Sequence, residues 1–197
     1  MKQFAVFASG YGSNLQAILD ALKKKKIQAH LCVVVSDKKD AFALTRALKA
    51  GIPTVVFDPK AFKTREAMDR AIVQELKNFG VDFIVLAGYM RILSAYFVKT
   101  FRDKILNIHP ALLPSFKGAH AIKDAFEAGV ASTGVTVHLV DEQVDHGPII
   151  AQKALPIKKN DTLKILEARI HKLEHNLYPK VIDLFAKNHI KGSRARS

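Results

Sequence analysis

The chain has 197 residues, the length of one domain when domains usually run to ~100–200. Hydrophobic residues make up 49% of it, enough to build a core, and this excludes intrinsic disorder. Lys and Arg outnumber Asp and Glu by 31 to 18, a net charge of +13, so anionic partners are expected: phosphates, carboxylates or nucleic acid.

Gln3–Ala8 is a short apolar run bounded by Ser9, Gly10 and Gly12, and it reads as a buried strand. It is too short for a signal peptide, and no apolar run reaches membrane-spanning length, so a cytoplasmic protein with no membrane partner is expected. Asn14–Lys24 places Leu15, Ile18, Leu19 and Leu22 on one face of an amphipathic helix. His30–Val35 is a second strand. It holds the lone cysteine, Cys32, so neither a disulfide framework nor a cysteine zinc site is expected. Ala41–Ala50 reads as a helix closed by Gly51, and Thr54–Phe57 as a third strand. Arg65–Phe79 reads as a long helix ended by Gly80, and Phe83–Leu86 as a fourth strand. A short helix near Ser94–Thr100 precedes a fifth strand, Ile105–His109, stopped by Pro110.

Continuous apolar strands alternating with helices predict an α/β fold: an open, mostly parallel twisted sheet with helices on both faces. Beyond Pro114 the rhythm changes. A helix over Ala119–Ala128 precedes two strands with no helix between them, Gly134–Val140 and Ile149–Leu155, which suit an antiparallel edge. A long helix over Thr162–Lys187 closes the domain, capped by Asn160 or Asp161, with a kink expected at Pro179. Residues 1–188 are read as one domain and residues 189–197 as a basic flexible tail.

In such a sheet, ligands gather at the carboxyl ends of the strands, and three polar clusters fall there. The first is Ser9–Asn14. Its small residues let backbone approach a ligand, and the following helix offers free N–H groups to a phosphate. It is neither a dinucleotide fingerprint, since Leu15 stands where the third glycine belongs, nor a Walker loop. A tight turn with Ser13 or Asn14 as the helix cap fits it equally well. The second cluster, Asn107 and His109, shares one face of the fifth strand, and suits oxyanion stabilisation with proton transfer. The third is the polar loop Val140–Pro148. Acidic residues in such a loop are usually solvated, but an Asp145 that met His109 would favour the charged imidazole. His120 and His146 lack metal-ligand spacing, so no metal is expected.

These clusters lie in the segments SGYGSNLQAI (9–18), LAGYMRILS (86–94), NIHPALLPSFKG (107–118), TVHLVDEQVDHGPII (136–150) and EHNLYP (174–179). Together they resemble the phosphoribosylglycinamide formyltransferase family of folate-dependent formyltransferases, from Phe4 to about Ala186. The resemblance implies a Rossmann-like fold and a one-carbon group transferase of purine biosynthesis. It moves the formyl group of 10-formyltetrahydrofolate, a co-substrate, to the amine of glycinamide ribonucleotide, without a metal. By the same resemblance Asn107, His109 and Asp145 are catalytic, and Gly12, Ser13, Asn14 and Glu174 hold the nucleotide. Arg65, Met90, Arg91, Ile92, Leu93 and Asn107, with Val140, Asp141 and Val144, form the folate site, and Leu113–Pro114 is a candidate cis peptide. Tyr11 and Tyr89 occupy positions that vary within these motifs.

A methionyl-tRNA formyltransferase would need a further tRNA-binding domain and a folate deformylase an amino-terminal one, and both are expected to be absent. A nucleic-acid-binding protein accounts for the charge, but aromatics are 8%, Trp is absent and no binding motif is present. Small-molecule substrates, no nucleic acid, and a monomer or homodimer are therefore expected. The lysines at 23–26 read as a solvated helix end, with substrate steering as the alternative.

Overall fold

A computed structural model describes residues 1–188, and the basic tail expected at 189–197 lies outside the described residues. Seven strands form one sheet: β1 (Gln3–Phe7), β2 (His30–Ser36), β3 (Thr54–Val56), β4 (Phe83–Leu86), β5 (Ile105–His109), β6 (Ser132–Leu139) and β7 (Ile149–Pro156). Their order is β3-β2-β1-β4-β5-β6-β7. β1 to β5 run parallel, while β6 is antiparallel to both β5 and β7. The fold class expected from the apolar runs is the one observed, with the antiparallel edge in place.

Among the described residues six α-helices surround the sheet: α1 (Ser13–Lys23), α2 (Phe42–Lys49), α3 (Arg65–Asn78), α4 (Ala95–Thr100), α5 (Ala121–Glu127) and α6 (Leu163–Ala186). The sheet separates two cores, as expected for strands buried on both faces. α1, α2, α5 and α6 pack over Phe4, Val6, Val34, Phe83 and Val85, and α3 and α4 over Ala5, Phe7, Val33, Ile84 and Ile105. Successive residues of β1 thus alternate between the two cores, the period-2 signature of a strand.

Element ends differ from the sequence reading by a residue or two in most cases, and α5 starts at Ala121 rather than Ala119. A 3-10 turn at Pro59–Ala61, capped by Asp58, adds to the elements expected from the sequence. Two caps are corrected. α6 is capped by Thr162, whose hydroxyl accepts the Ile165 amide at 3.3 Å. Asp161 instead pairs with Arg169 and accepts the Lys158 amide at 2.9 Å, and Asn160 does not cap the helix. The α1 cap is Gly12 rather than Ser13 or Asn14, and no side chain caps that helix. α6 continues through Pro179 to Ala186.

One contact fixes α6 against the end of the sheet that matters. The buried Tyr178 hydroxyl lies 2.8 Å from the Leu86 carbonyl and 3.0 Å from that of Leu106. A single O–H shared between two neighbouring strands holds α6 over the carboxyl end of β4 and the adjoining stretch of β5. No described helix is long and apolar enough to cross a membrane. The lysines at 23–26 are exposed at the end of α1.

Candidate active site

Three segments distant in sequence meet at the end of β5. Asn107 and His109 lie on that strand, and the β5–β6 register sets Asn107 opposite His138 and His109 opposite Thr136. The β6–β7 loop then folds back. At Gly147 even a Cβ atom would overlap the Leu139 carbonyl, so the loop requires glycine there to lie so close to the strand. That approach carries Asp145, with φ +50°, into the interior.

Asp145 Oδ2 lies 3.3 Å from His109 Nδ1 and accepts the Gly118 amide at 2.9 Å. Its Oδ1 lies 3.5 Å from both Asn107 Nδ2 and His138 Nε2. Burial pushes the Asp145 carboxyl up. Hydrogen bonds from His138 and the Gly118 amide, with the charges of His109 and His138, outweigh it and hold the group below its usual range. The other ring nitrogen of His109, Nε2, faces the Phe116 carbonyl at 2.7 Å. Both nitrogens of this buried imidazole therefore face oxygen acceptors, an arrangement that the doubly protonated ring satisfies completely.

His138 was not singled out from the sequence, although it stands in the segment 136–150. It is 2% exposed, and its Nδ1–H donates to the Leu139 carbonyl at 2.8 Å. In the neutral ring, Nε2 accepts the Asn107 amide at 3.1 Å, and on protonation the same nitrogen faces Asp145. The signal lay in strand pairing: had β6 been aligned antiparallel to β5, alternation would have placed His138 and Asn107 on one face. Thr136, one inward position along, accepts the Leu113 amide at 3.1 Å and donates to the Ala111 carbonyl at 2.7 Å. It secures the turn after β5, where Leu113–Pro114 is cis as expected.

A second group of residues lies at the amino end of α1. Asn14 Nδ2 donates to Glu174 Oε2 at 3.1 Å, and His171 Nδ1 lies 2.9 Å from the same oxygen. Glu174 is 4% exposed, so α6 delivers a buried carboxylate to the end of the Gly12–Asn14 loop. The hydrogen bond to Glu174 raises the His171 pKa, partly offset by burial. With no side-chain cap on α1, its first N–H groups remain available to an anion.

The remaining candidates surround the loop after β4. Ser9 ties the two strand-end loops together: its hydroxyl accepts the Met90 amide at 2.9 Å and its amide donates to the Gly88 carbonyl at 3.0 Å. Met90 and Ile92 are 68% and 57% exposed, and Val144 is also exposed, three apolar side chains open to an apolar ligand. Leu93 differs from them. Its side chain is buried in the core with Phe97 and Val98. Val140 packs partly against that same core. Arg65 and Arg91 both act electrostatically on the buried Asp69, whose carboxyl burial nonetheless pushes up against hydrogen bonds from Ser94. Asp141 binds His146 at 2.7 Å and accepts the Gln143 amide at 2.9 Å, which closes the β6–β7 loop without reaching His109. Cys32, buried and with its thiol pushed up by burial, faces the Phe4 carbonyl near the start of β2, away from the strands' carboxyl ends.

Known proteins resemble the chain along its whole length. The chain is 47% identical over 195 residues to the phosphoribosylglycinamide formyltransferase of Bacillus subtilis, covering 99% of this chain and all of that one. It is 46% identical over 187 residues to the trifunctional purine biosynthetic protein adenosine-3 of Bos taurus, matching 95% of this chain but 18% of that longer protein. The solved structure of glycinamide ribonucleotide transformylase 1 from Symbiobacterium toebii superposes with a TM-score of 0.95 at 45% identity, covering all of this chain and 93% of that one. The formyl transferase family model matches residues 2–182, a span that includes both groups of polar residues described above. By sequence and by fold, the chain belongs to the formyl transferase family.

Proposed function

We propose that the chain transfers the formyl group of 10-formyltetrahydrofolate to the amine of glycinamide ribonucleotide, as a step of purine biosynthesis. The observation that carries this reading is the buried convergence of Asn107, His109 and Asp145, drawn from one strand and a loop onto one point. In this reading the nucleotide phosphate sits on the Gly12–Asn14 amides and Glu174 receives the ribose hydroxyls. The folate lies between the loop after β4 and the β6–β7 loop. Met90, Ile92 and Val144 supply apolar contact, and Arg65 and Arg91 supply charge for its carboxylates.

The amine nitrogen attacks the formyl carbon, and the electron pair of the C=O bond moves to oxygen. His109 as imidazolium and the Asn107 amide stabilise that oxyanion; positioned donors of this kind contribute about 3–4 kcal/mol each. The formyl oxygen takes the place of the Phe116 carbonyl as acceptor from His109 Nε2. Asp145, held ionised by its surroundings, keeps the second ring nitrogen protonated. The attacking nitrogen loses a proton, N10 of the folate gains one, and the C–N10 bond breaks as the carbonyl re-forms. A water held by Asp145 and His109 relays that proton.

The test is direct. Purified protein with both substrates should release tetrahydrofolate and formylated ribonucleotide. Turnover with another amine but none with the ribonucleotide would overturn the acceptor assignment.

A further inference from the structure

The loop Gly10–Gly12 is fastened to α2 at three consecutive residues. The Gly10 carbonyl accepts the Ala43 amide at 3.0 Å. Gly12, at φ +73°, lies so near Ala43 that an added Cβ would stand 2.8 Å from the Ala43 Cβ. Between them, the Tyr11 carbonyl accepts from Arg46 Nε at 3.0 Å. Arg46 Nη1 also donates to Gln16 Oε1 at 2.9 Å, on the first turn of α1, so one guanidinium joins the loop, α2 and α1.

The same residue is covered by aromatic rings. Tyr11, 69% exposed, stacks on Phe42 with centroids 5.3 Å apart and planes 14° from parallel. The Arg46 guanidinium lies 4.5 Å from the Tyr11 ring centre and 4.8 Å from that of Phe42. Two exposed rings over a half-buried cation give the clamp a fixed shape through cation–π attraction as well as hydrogen bonds. Among the described residues no carboxylate forms an ion pair with Arg46, whose guanidinium is met by two oxygen acceptors and two rings.

We propose that Arg46 is a positioning residue for the ribonucleotide phosphate: it holds the 10–14 backbone so that the α1 amides converge on the anion, and so favours phosphorylated acceptors. This rests on the acceptor reading given above. Arg46 touches neither the formyl group nor the folate, so it governs binding of one substrate and not the chemical step.

The experiment compares wild type, Arg46→Ala and Arg46→Lys in steady state, with glycinamide ribonucleotide and with its dephosphorylated ribonucleoside as acceptors. In Arg46→Ala, KM for the ribonucleotide should rise about tenfold, the scale of a lost charged hydrogen bond. Its kcat, the folate KM, and kcat/KM for the ribonucleoside should stay within about twofold. Arg46→Lys restores the charge but not the two-point fork, and should recover the ribonucleotide KM only in part. Equal changes for both acceptors, or in both substrates' KM, would make Arg46 a general structural residue and overturn the proposal. Full recovery by lysine would overturn the clamp in favour of a simple charge. If Arg46→Ala does not fold, Arg46→Lys, which keeps the aliphatic stem, carries the test alone. A wild-type protein inactive on the ribonucleotide refutes the acceptor reading, whereas an active wild type with an unaltered Arg46→Ala refutes only this inference.

Discussion

The two ends of the candidate site are built in opposite ways. At the amino end of α1, the groups offered to an anion are backbone amides of consecutive residues, with the Glu174 carboxylate beside them, and Arg46, Ala43 and Gln16 serve to hold the loop. At the end of β5, the offered groups are side chains from β5, β6 and the β6–β7 loop, and the backbone serves to bring them together. A backbone site tolerates many side chains but no change of loop conformation. A side-chain site tolerates modest backbone adjustment but no change of chemistry. Substitutions should therefore affect binding at the first and the chemical step at the second.

The largest effect should come from the β5 cluster. His109→Ala and Asn107→Ala should each lower kcat by about a hundredfold or more, the scale of losing an oxyanion donor or an acid–base group, with folding retained. Asp145→Asn should fall about as far, and its double variant with His109→Ala little further, since groups acting as a unit are non-additive. Near-normal turnover in any of the three, measured with saturating substrates, would break the comparison at its catalytic end.

His138→Ala sharpens it. It removes the partner of the Asn107 amide without removing the donor itself, so kcat should drop by about tenfold, the scale of one lost hydrogen bond. An effect confined to KM would move His138 from the chemistry to binding.

Gly12→Ala tests the other end. The left-handed φ and the Ala43 contact both oppose a side chain, so stability should fall by about 1–3 kcal/mol in urea unfolding. The obstruction lies toward α2, so the loop shifts before any phosphate is crowded. The ribonucleotide KM should rise while kcat changes little.

The pH dependence should be smaller. Asp145 is depressed in the folded state, so its contribution to stability is complete above the ordinary carboxylate pKa of ~3.9 and is lost as pH falls through the depressed value. The melting-temperature gap between wild type and Asp145→Asn should thus shrink as pH falls below about 4. A gap unchanged in acid would mean that the charge is not its source. Smallest of all, Asp141→Asn breaks only the half-exposed pair with His146 and should alter kcat less than about twofold, since exposed pairs contribute ~0–1 kcal/mol.

Much of this was legible in the chain itself. Apolar runs such as Phe83–Leu86, and helix faces such as Leu15, Ile18 and Leu19, report burial directly, because period and hydrophobicity are local properties. Asn107 and His109 could be paired because strand alternation puts them on one face two residues apart. The motifs that resemble the formyltransferases named Asp145 and Glu174 without showing how they reach their partners. The sequence does not single out Thr162 as the α6 cap, because Asn160 and Asp161 are equally good capping types and only the loop geometry selects among them.

By itself, then, the sequence determined the alternation of strands and helices, the change of rhythm beyond Pro114, the residue types at the strand ends and the surplus of positive charge. Tertiary structure decided the rest: the antiparallel register that sets His138 against Asn107, the loop return that buries Asp145 between two histidines, and the clamp of Arg46 on Tyr11 and Gln16. The physical reason is separation along the chain. Asp145 lies 36 residues from His109, and Arg46 lies 35 from Tyr11. Local propensity carries no information over such distances, which only the packing of the sheet and its helices closes.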